Sequence, residues 1–279
     1  MPSLENLIFI SCNISTIPTE IGLLSNLHGF YLTEYEPFIS ANVPTEIGLL
    51  SSNLQTLVIE SQQPFISEIG MLSNLKTLIL NALPQQLLPT EFGNLSSLQY
   101  LTIENNVNGS IPTEYCQLQQ LLELHMPSIG LTGSLPCTFG SNLTFIELPN
   151  NNLTSVPSFW NSSNLQTLDL SFNNISGSLP EFWEFSNPFA TISLDHNFFS
   201  GTIPSSFNMA NAYDLDLSFN SLSGVIPINA LPLSGYAYFS NNQFNGIESN
   251  INELSTLDLS FNLFTTIPST LSQMQFNFL

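Results

Sequence analysis

Positive charge is nearly missing from this chain of 279 residues: one Lys+Arg, Lys76, stands against 21 Asp+Glu, for a formal charge of −20. That deficit excludes nucleic acid as a partner, because such affinity comes from Lys and Arg releasing condensed counterions. It also argues against anionic membranes as a direct partner. Charged residues of either sign make up only 8%, against about 25% in an average chain. The surface must therefore be built from Asn, Ser, Thr and Gln. Long apolar runs are lacking too. No stretch approaches the ~18 residues of a membrane span, so no direct insertion is expected. The start, Met1-Pro2-Ser3-Leu4-Glu5, has neither the basic residues nor the unbroken apolar run of a secretory leader. The three cysteines, Cys12, Cys116 and Cys137, say little on their own. What the chain does have is apolar residues, 43% of the total, enough for a large core.

These residues recur. A unit LxxLxLxxNxL begins at Leu4, Leu27, Leu54, Leu75, Leu98, Leu121, Leu143, Leu165, Phe189, Ala212, Leu233 and Leu254. The spacings, 21 to 27 residues, lie in the range of leucine-rich repeats. The clearest copies run Leu165-Gln-Thr-Leu-Asp-Leu-Ser-Phe-Asn173 and Leu254-Ser-Thr-Leu-Asp-Leu-Ser-Phe-Asn262. The alternating x-Leu-x-Leu core has period two and predicts a short strand with one face inward. The Asn at position nine closes the turn, its amide pairing with backbone groups of neighbouring coils. This ladder reads Asn106, Asn151, Asn173, Asn197, Asn220, Asn241 and Asn262, and fails at Cys12, Tyr35, Gln62, Leu83 and Ile129. Residues 1–279 thus read as one α/β solenoid domain of about twelve coils, with a parallel sheet and little regular helix. Its stability comes from coil-to-coil interfaces.

The second half of the unit carries Gly109-Ser-Ile-Pro112, Gly133-Ser-Leu-Pro136, Gly177-Ser-Leu-Pro180, Gly201-Thr-Ile-Pro204 and Gly224-Val-Ile-Pro227. Gly permits unusual backbone angles, and Pro fixes φ and removes a donor. Both predict an extended, non-helical return path. Here the chain resembles the plant-type leucine-rich repeat, NxLxGxIPxxhGxLxxLxxLxLxx, over essentially its whole length. The resemblance implies a right-handed arc, a concave parallel sheet and a second small sheet beside it. It also implies an extracellular or cell-surface setting. The family includes receptor ectodomains, polygalacturonase-inhibiting proteins and some ice-binding proteins. The flanking caps with paired cysteines, usual in plant ectodomains, are absent, and the coils run uncapped towards both ends, the last closing on Gln275-Phe-Asn-Phe-Leu279.

Position five of each unit should face outward on the concave side. The first coils place apolar groups there, Ile8, Tyr31, Val58 and Ile79, with Ile10 alongside. The later coils place carboxylates, Glu147, Asp169, Asp216 and Asp258, with Asp195 and Asp214 nearby, and Ala237 among them. The apolar set reads as a contact patch or a face that another segment covers. The acidic set reads as a solvated face first, and as a site for a hard cation second, because no ligand loop is present. Phe172, Phe219 and Phe261 share position eight, and read as packing before they read as a stacking surface. His28, His125 and His196 sit at different positions of different repeats, with no nucleophile, base and orienting group together. No catalytic, cofactor-binding or metal-ligating set is expected.

Sequons occur at Asn13, Asn94, Asn108, Asn142, Asn152, Asn161 and Asn174, no more than chance supplies. Their placement on turns and the return side makes them candidates for glycosylation. Cys116 and Cys137 lie 21 residues apart at similar phase in adjacent coils, which suits a disulfide or two buried thiols. Cys12 takes a ladder position and is expected to be buried. The leading functional expectation is a non-enzymatic extracellular glycoprotein acting as an interaction or assembly scaffold, its uncapped ends associating into oligomers or filaments. A second is an ectodomain that recognises a peptide, protein or glycan on its concave face. A third is ice binding, for which Thr56, Thr77, Thr167, Thr191 and Thr256 share position three in a broken row.

Overall fold

A computed structural model describes residues 3–10, 12, 14–33, 42–60, 64–81, 85–105, 107–161, 164–184, 190–248 and 254–266, with the backbone alone at 159–161 and 182–184. The chain divides into two compact units, Met1–Leu143 and Thr144–Leu279. Among the described residues each holds six strands that follow the x-Leu-x-Leu pattern, one per coil, besides the strands of the return paths. In unit 1 the strands of coils 1 to 6 are Asn6–Ile10, Gly29–Thr33, Thr56–Glu60, Thr77–Asn81, Tyr100–Glu104 and Glu123–His125. In unit 2 those of coils 7 to 12 are Phe145–Glu147, Thr167–Asp169, Ala190–Ser193, Ala212–Asp216, Gly235–Tyr238 and Leu254–Asp258. Within each unit every neighbouring pair is parallel.

The period-two rule holds residue by residue. Leu57, Leu78, Leu101 and Leu124 form one buried column in unit 1, and Ile146, Leu168, Ile192 and Leu215 its counterpart in unit 2. Each such side chain contributes about 1.5–3 kcal/mol by leaving water. One coil is out of step with the sequence reading. Coil 11 does not turn on Leu233, which is exposed, and its ladder amide is Asn242 rather than Asn241. Ala237 therefore points inward, fully buried, and Tyr238 takes the outward position five. A one-residue slip reverses every side chain of a strand. The small Ala237 is accompanied by the bulky Phe239, which meets Phe244 edge-on at 5.9 Å.

The asparagine ladder is concentrated in unit 2. Asn197 Oδ1 accepts the Ile175 N–H of the coil before at 3.0 Å, while its Nδ2 donates to Leu170 O at 2.9 Å and Leu194 O at 3.2 Å. Asn173, Asn220, Asn242 and Asn262 repeat the pattern. In unit 1 the ladder position of coil 6 is Ile129, wholly buried. Asn106, Tyr35, Gln62 and Leu83 lie outside the described residues. Cys12 is exposed, against expectation. Its coil is the outermost of the sheet, with a neighbouring strand on one side only.

The return paths differ between the units. Those of unit 1 are not extended throughout, as the Gly and Pro content suggested. They hold five 3-10 turns, Thr19–Leu23, Thr45–Leu50, Ser67–Met71, Thr90–Asn94 and Thr113–Gln117. A glycine in each of the first four, Gly22, Gly48, Gly70 and Gly93, lets the coils close up. A Cβ on Gly93 would stand 2.5 Å from Glu114 O, and one on Gly70 2.4 Å from Glu91 O. Unit 2 instead builds a second small sheet from Ser176–Gly177, Phe198–Thr202, Ser221–Ile226 and Gln243–Ile247. There Gly177, Gly201 and Gly224 take φ of +98°, +79° and +82°, angles that glycine adopts at least cost. Cys116 and Cys137 are joined by a disulfide with Cα atoms 6.0 Å apart, tying coil 5 to coil 6 within unit 1.

Candidate recognition face

All five aspartates of the chain lie on the outward side of the unit 2 strands or directly after them: Asp169, Asp195, Asp214, Asp216 and Asp258. The local sequence explains how they are held. In Leu-Asp-Leu-Ser-Phe-Asn the Asp at position five accepts the N–H of the Ser two residues on. Asp169 does so at 2.9 Å and also takes the Ser171 hydroxyl at 2.6 Å. Asp216 accepts Ser218 N–H at 2.8 Å, and Asp258 accepts Ser260 N–H at 2.9 Å. Glu147 and Asp169 are register partners on adjacent strands.

Position eight follows with left-handed backbone. Asn150, Phe172, His196, Phe219, Asn241 and Phe261 have φ between 51° and 57°. Each of the first five donates its N–H to the position-seven carbonyl of the next coil, at 3.0–3.1 Å. This conformation turns the side chain out of the core. Phe172, His196 and Phe219 then form a stack, with ring centroids 4.0 and 4.1 Å apart and planes inclined 11° and 14°. The two phenylalanines remain 48% and 46% exposed, so this is a surface row rather than core packing. His196 Nδ1 lies 2.8 Å from Asp195 Oδ2. The histidine is therefore not isolated: it sits at the same phase as the phenylalanines, a signal present in the repeat register.

Electrostatics differ along the face. Burial pushes the Asp216 carboxyl up from its usual value; hydrogen bonds from Ser218 oppose this, and the neighbouring Asp195 and Asp214 charges add to it. Burial alone raises Asp214. At Asp258 burial also pushes upward, but the Ser260 backbone and hydroxyl and the Ser240 hydroxyl outweigh it and hold the group below the usual range. No Lys or Arg occurs in residues 144–279 to relieve any of them.

Of the apolar candidates in unit 1, Ile8 and Ile10 are more than half exposed, Tyr31 and Ile79 are partly buried, and Val58 is buried at 8%. Val58 sits between Tyr31 and Ile79 in register, with a strand on each side. The apolar contact set is therefore smaller than the sequence suggested. The threonines pair as Thr56 with Thr77 and Thr167 with Thr191, but Tyr100, Asp214 and Tyr236 interrupt the row. Asn94, Asn108, Asn142, Asn152 and Asn174 are exposed. Asn13, the side chain of Asn161 and residues 275–279 lie outside the described residues. Among the described residues no group of three or more His, Cys, Asp or Glu is placed to hold a metal, and no helix is long and apolar enough to cross a membrane.

Comparison with known proteins follows the same lines. Residues 141–183 match a family model for two copies of leucine-rich repeats, and residues 253–274 a single leucine-rich-repeat model. No curated protein sequence matches the chain. Among solved structures, a TDR receptor is similar at 32% identity, with a TM-score of 0.77 over 92% of this chain and 47% of that one. The ectodomain of the Arabidopsis receptor kinase HAESA, solved with an N-terminally extended IDA peptide hormone, is similar at 26% identity and a TM-score of 0.59 over 89% of this chain and 52% of that one. The chain thus spans about half the length of these two receptor chains. A plant ice-binding protein shares the fold at 23% identity and a TM-score of 0.66, over 93% of this chain and 84% of that one.

Proposed function

The chain belongs to the leucine-rich-repeat family, with repeats of the plant type, and from that premise we propose that it is a non-catalytic recognition module. The outward face of the unit 2 strands binds an extended segment of a peptide or protein. One observation carries this reading: the five aspartates and the exposed aromatic row share that face, with no Lys or Arg in the unit. The peptide hormone bound by the HAESA ectodomain supports the class of ligand. A disulfide persists in oxidising surroundings, which supports an extracellular setting with N-glycans on Asn94, Asn108, Asn142, Asn152 and Asn174. Mass spectrometry of native material checks those sites.

The test is selection of peptides from an unbiased library of displayed 12-residue sequences, followed by binding to variants. Replacing Asp169, Asp195 and Phe219 together by Asn, Asn and Ala is expected to weaken the selected peptides at least about tenfold, since truncating interfacial anchors costs more than about 1 kcal/mol each. Peptides that bind this triple variant as well as the parent would overturn the reading. End-to-end self-association is a second reading. It rests on an open apolar groove of about 250 Å³ at coil 1, lined in part by Leu7, Phe9, Ile14, Ile17 and Ile21. A strict monomer at high concentration by light scattering would count against it.

A further inference from the structure

Coils 10 to 12 carry a pattern that the rest of the face does not. Asp214 stands beside Tyr236 and Asp216 beside Tyr238 in strand register, and Tyr238 has Asp258 on its other side. The residues between them, Leu215 and Ala237, point into the core. A column of two carboxylates on one strand therefore lies beside a column of two phenol rings on the next, on one surface, with a further carboxylate across Tyr238. Neighbouring members are about 4.8 Å apart across the strands. The register shifts between Ala190 and Thr191 and again between Gly235 and Tyr236. Such bulges re-aim side chains. Here Tyr213 is pushed outward, 44% exposed, to meet Tyr236 edge-on at 5.5 Å.

We propose that these paired columns of carboxylates and phenol rings seat arginine side chains of the bound segment. The inference rests on the recognition reading above and names the chemistry of its ligand. A guanidinium is planar, stacks on aromatic faces and forks to carboxylates, so it uses both columns. An ammonium is a compact point charge and uses the carboxylates alone. The desolvation that normally opposes ion pairing is already incurred in part by Asp214 and Asp216 in the free chain. Charge complementarity sets the sign of the partner, since residues 144–279 contain no Lys or Arg to compete for these groups. Asp216 and Asp258 lie two coils apart, roughly 10 Å, about one turn of a ligand in the polyproline II conformation, which brings every third side chain back to the same face at about 3.1 Å per residue. Arginines at every third position match that spacing.

The probes are synthetic (Ser-Gly-Arg)4, (Ser-Gly-Lys)4 and the citrulline analogue of the first, titrated into the whole protein by calorimetry at near-physiological salt. The arginine peptide is expected to bind about tenfold more tightly than the lysine peptide, and the citrulline peptide not to bind measurably. Tyr238→Leu is expected to erase the difference between arginine and lysine, and Asp216→Asn to weaken both. Circular dichroism confirms that each variant is folded. Equal affinity for arginine and lysine, unchanged in Tyr238→Leu, would reduce the effect to the overall negative charge and overturn the proposal. The library selection separates the two levels. Peptides that bind the unit 2 face without arginine overturn the arginine seat and leave the recognition reading standing. Peptides that ignore the face overturn both.

Discussion

Asp216 is less stable as an anion in the folded chain than in water, chiefly because burial withdraws it from solvent. The consequence for stability has a definite sign. A carboxyl whose folded pKa is raised binds its proton more tightly when folded, so its unfavourable term is absent below the ordinary carboxylate range and grows as pH rises through the raised value. Asp216→Asn keeps an oxygen to accept the Ser218 N–H and removes the charge. Urea unfolding is expected to show the variant more stable than the parent at neutral pH and equal to it near about pH 3, where both states of the parent carboxyl are protonated. A variant that is less stable at neutral pH would show that Asp216 is held for structure. The same substitution weakens ligand binding in the reading above, so stability and recognition move in opposite directions at one side chain.

At the scale of the element, the 3-10 turns of unit 1 decide how closely coils stack. Gly93→Ala drives a methyl group to 2.5 Å from the Glu114 carbonyl oxygen, a clash with backbone rather than with the end of a flexible side chain. A loss of about 1–3 kcal/mol is expected, the usual cost of overpacking, read as a fall in the urea midpoint. Strands, coil number and the glycines at positive φ were legible in the sequence because each rests on a local rule: period two, a fixed repeat, a left-handed angle. The 3-10 turns were not, since Gly and Pro are compatible with both an extended path and a tight turn. Coil 11 misled for a different reason. Leu233 mimics the repeat's first leucine, while the true inward residue, Ala237, is too small to announce itself. Part of the site was legible as well: the aspartates were found by register. Tyr236 and Tyr238 were missed with the slip, and Val58 was counted as exposed because burial by cross-strand neighbours is not written in its own coil.

For the whole molecule, the formal charge of −20 with a single Lys76 means that nearly every long-range interaction among side chains is repulsive. Salt screens such repulsion, with a Debye length falling from about 30 Å at 0.01 M to about 8 Å at 0.15 M. The melting temperature is expected to rise over that range, measured by calorimetry in sodium chloride at neutral pH; a fall would point to attractive pairs that the charge count does not contain. The hexapeptide Leu-Asp-Leu-Ser-Phe-Asn has a consequence for how such a chain changes over generations. Its leucines and asparagine hold the coil to its neighbours, while its aspartate and phenylalanine face outward. A duplication of one coil therefore copies the mortar and the lettering together, and lengthens the legible surface by one strand spacing of about 4.8 Å. A lineage can extend the message it reads without first inventing a way to fold the extra page.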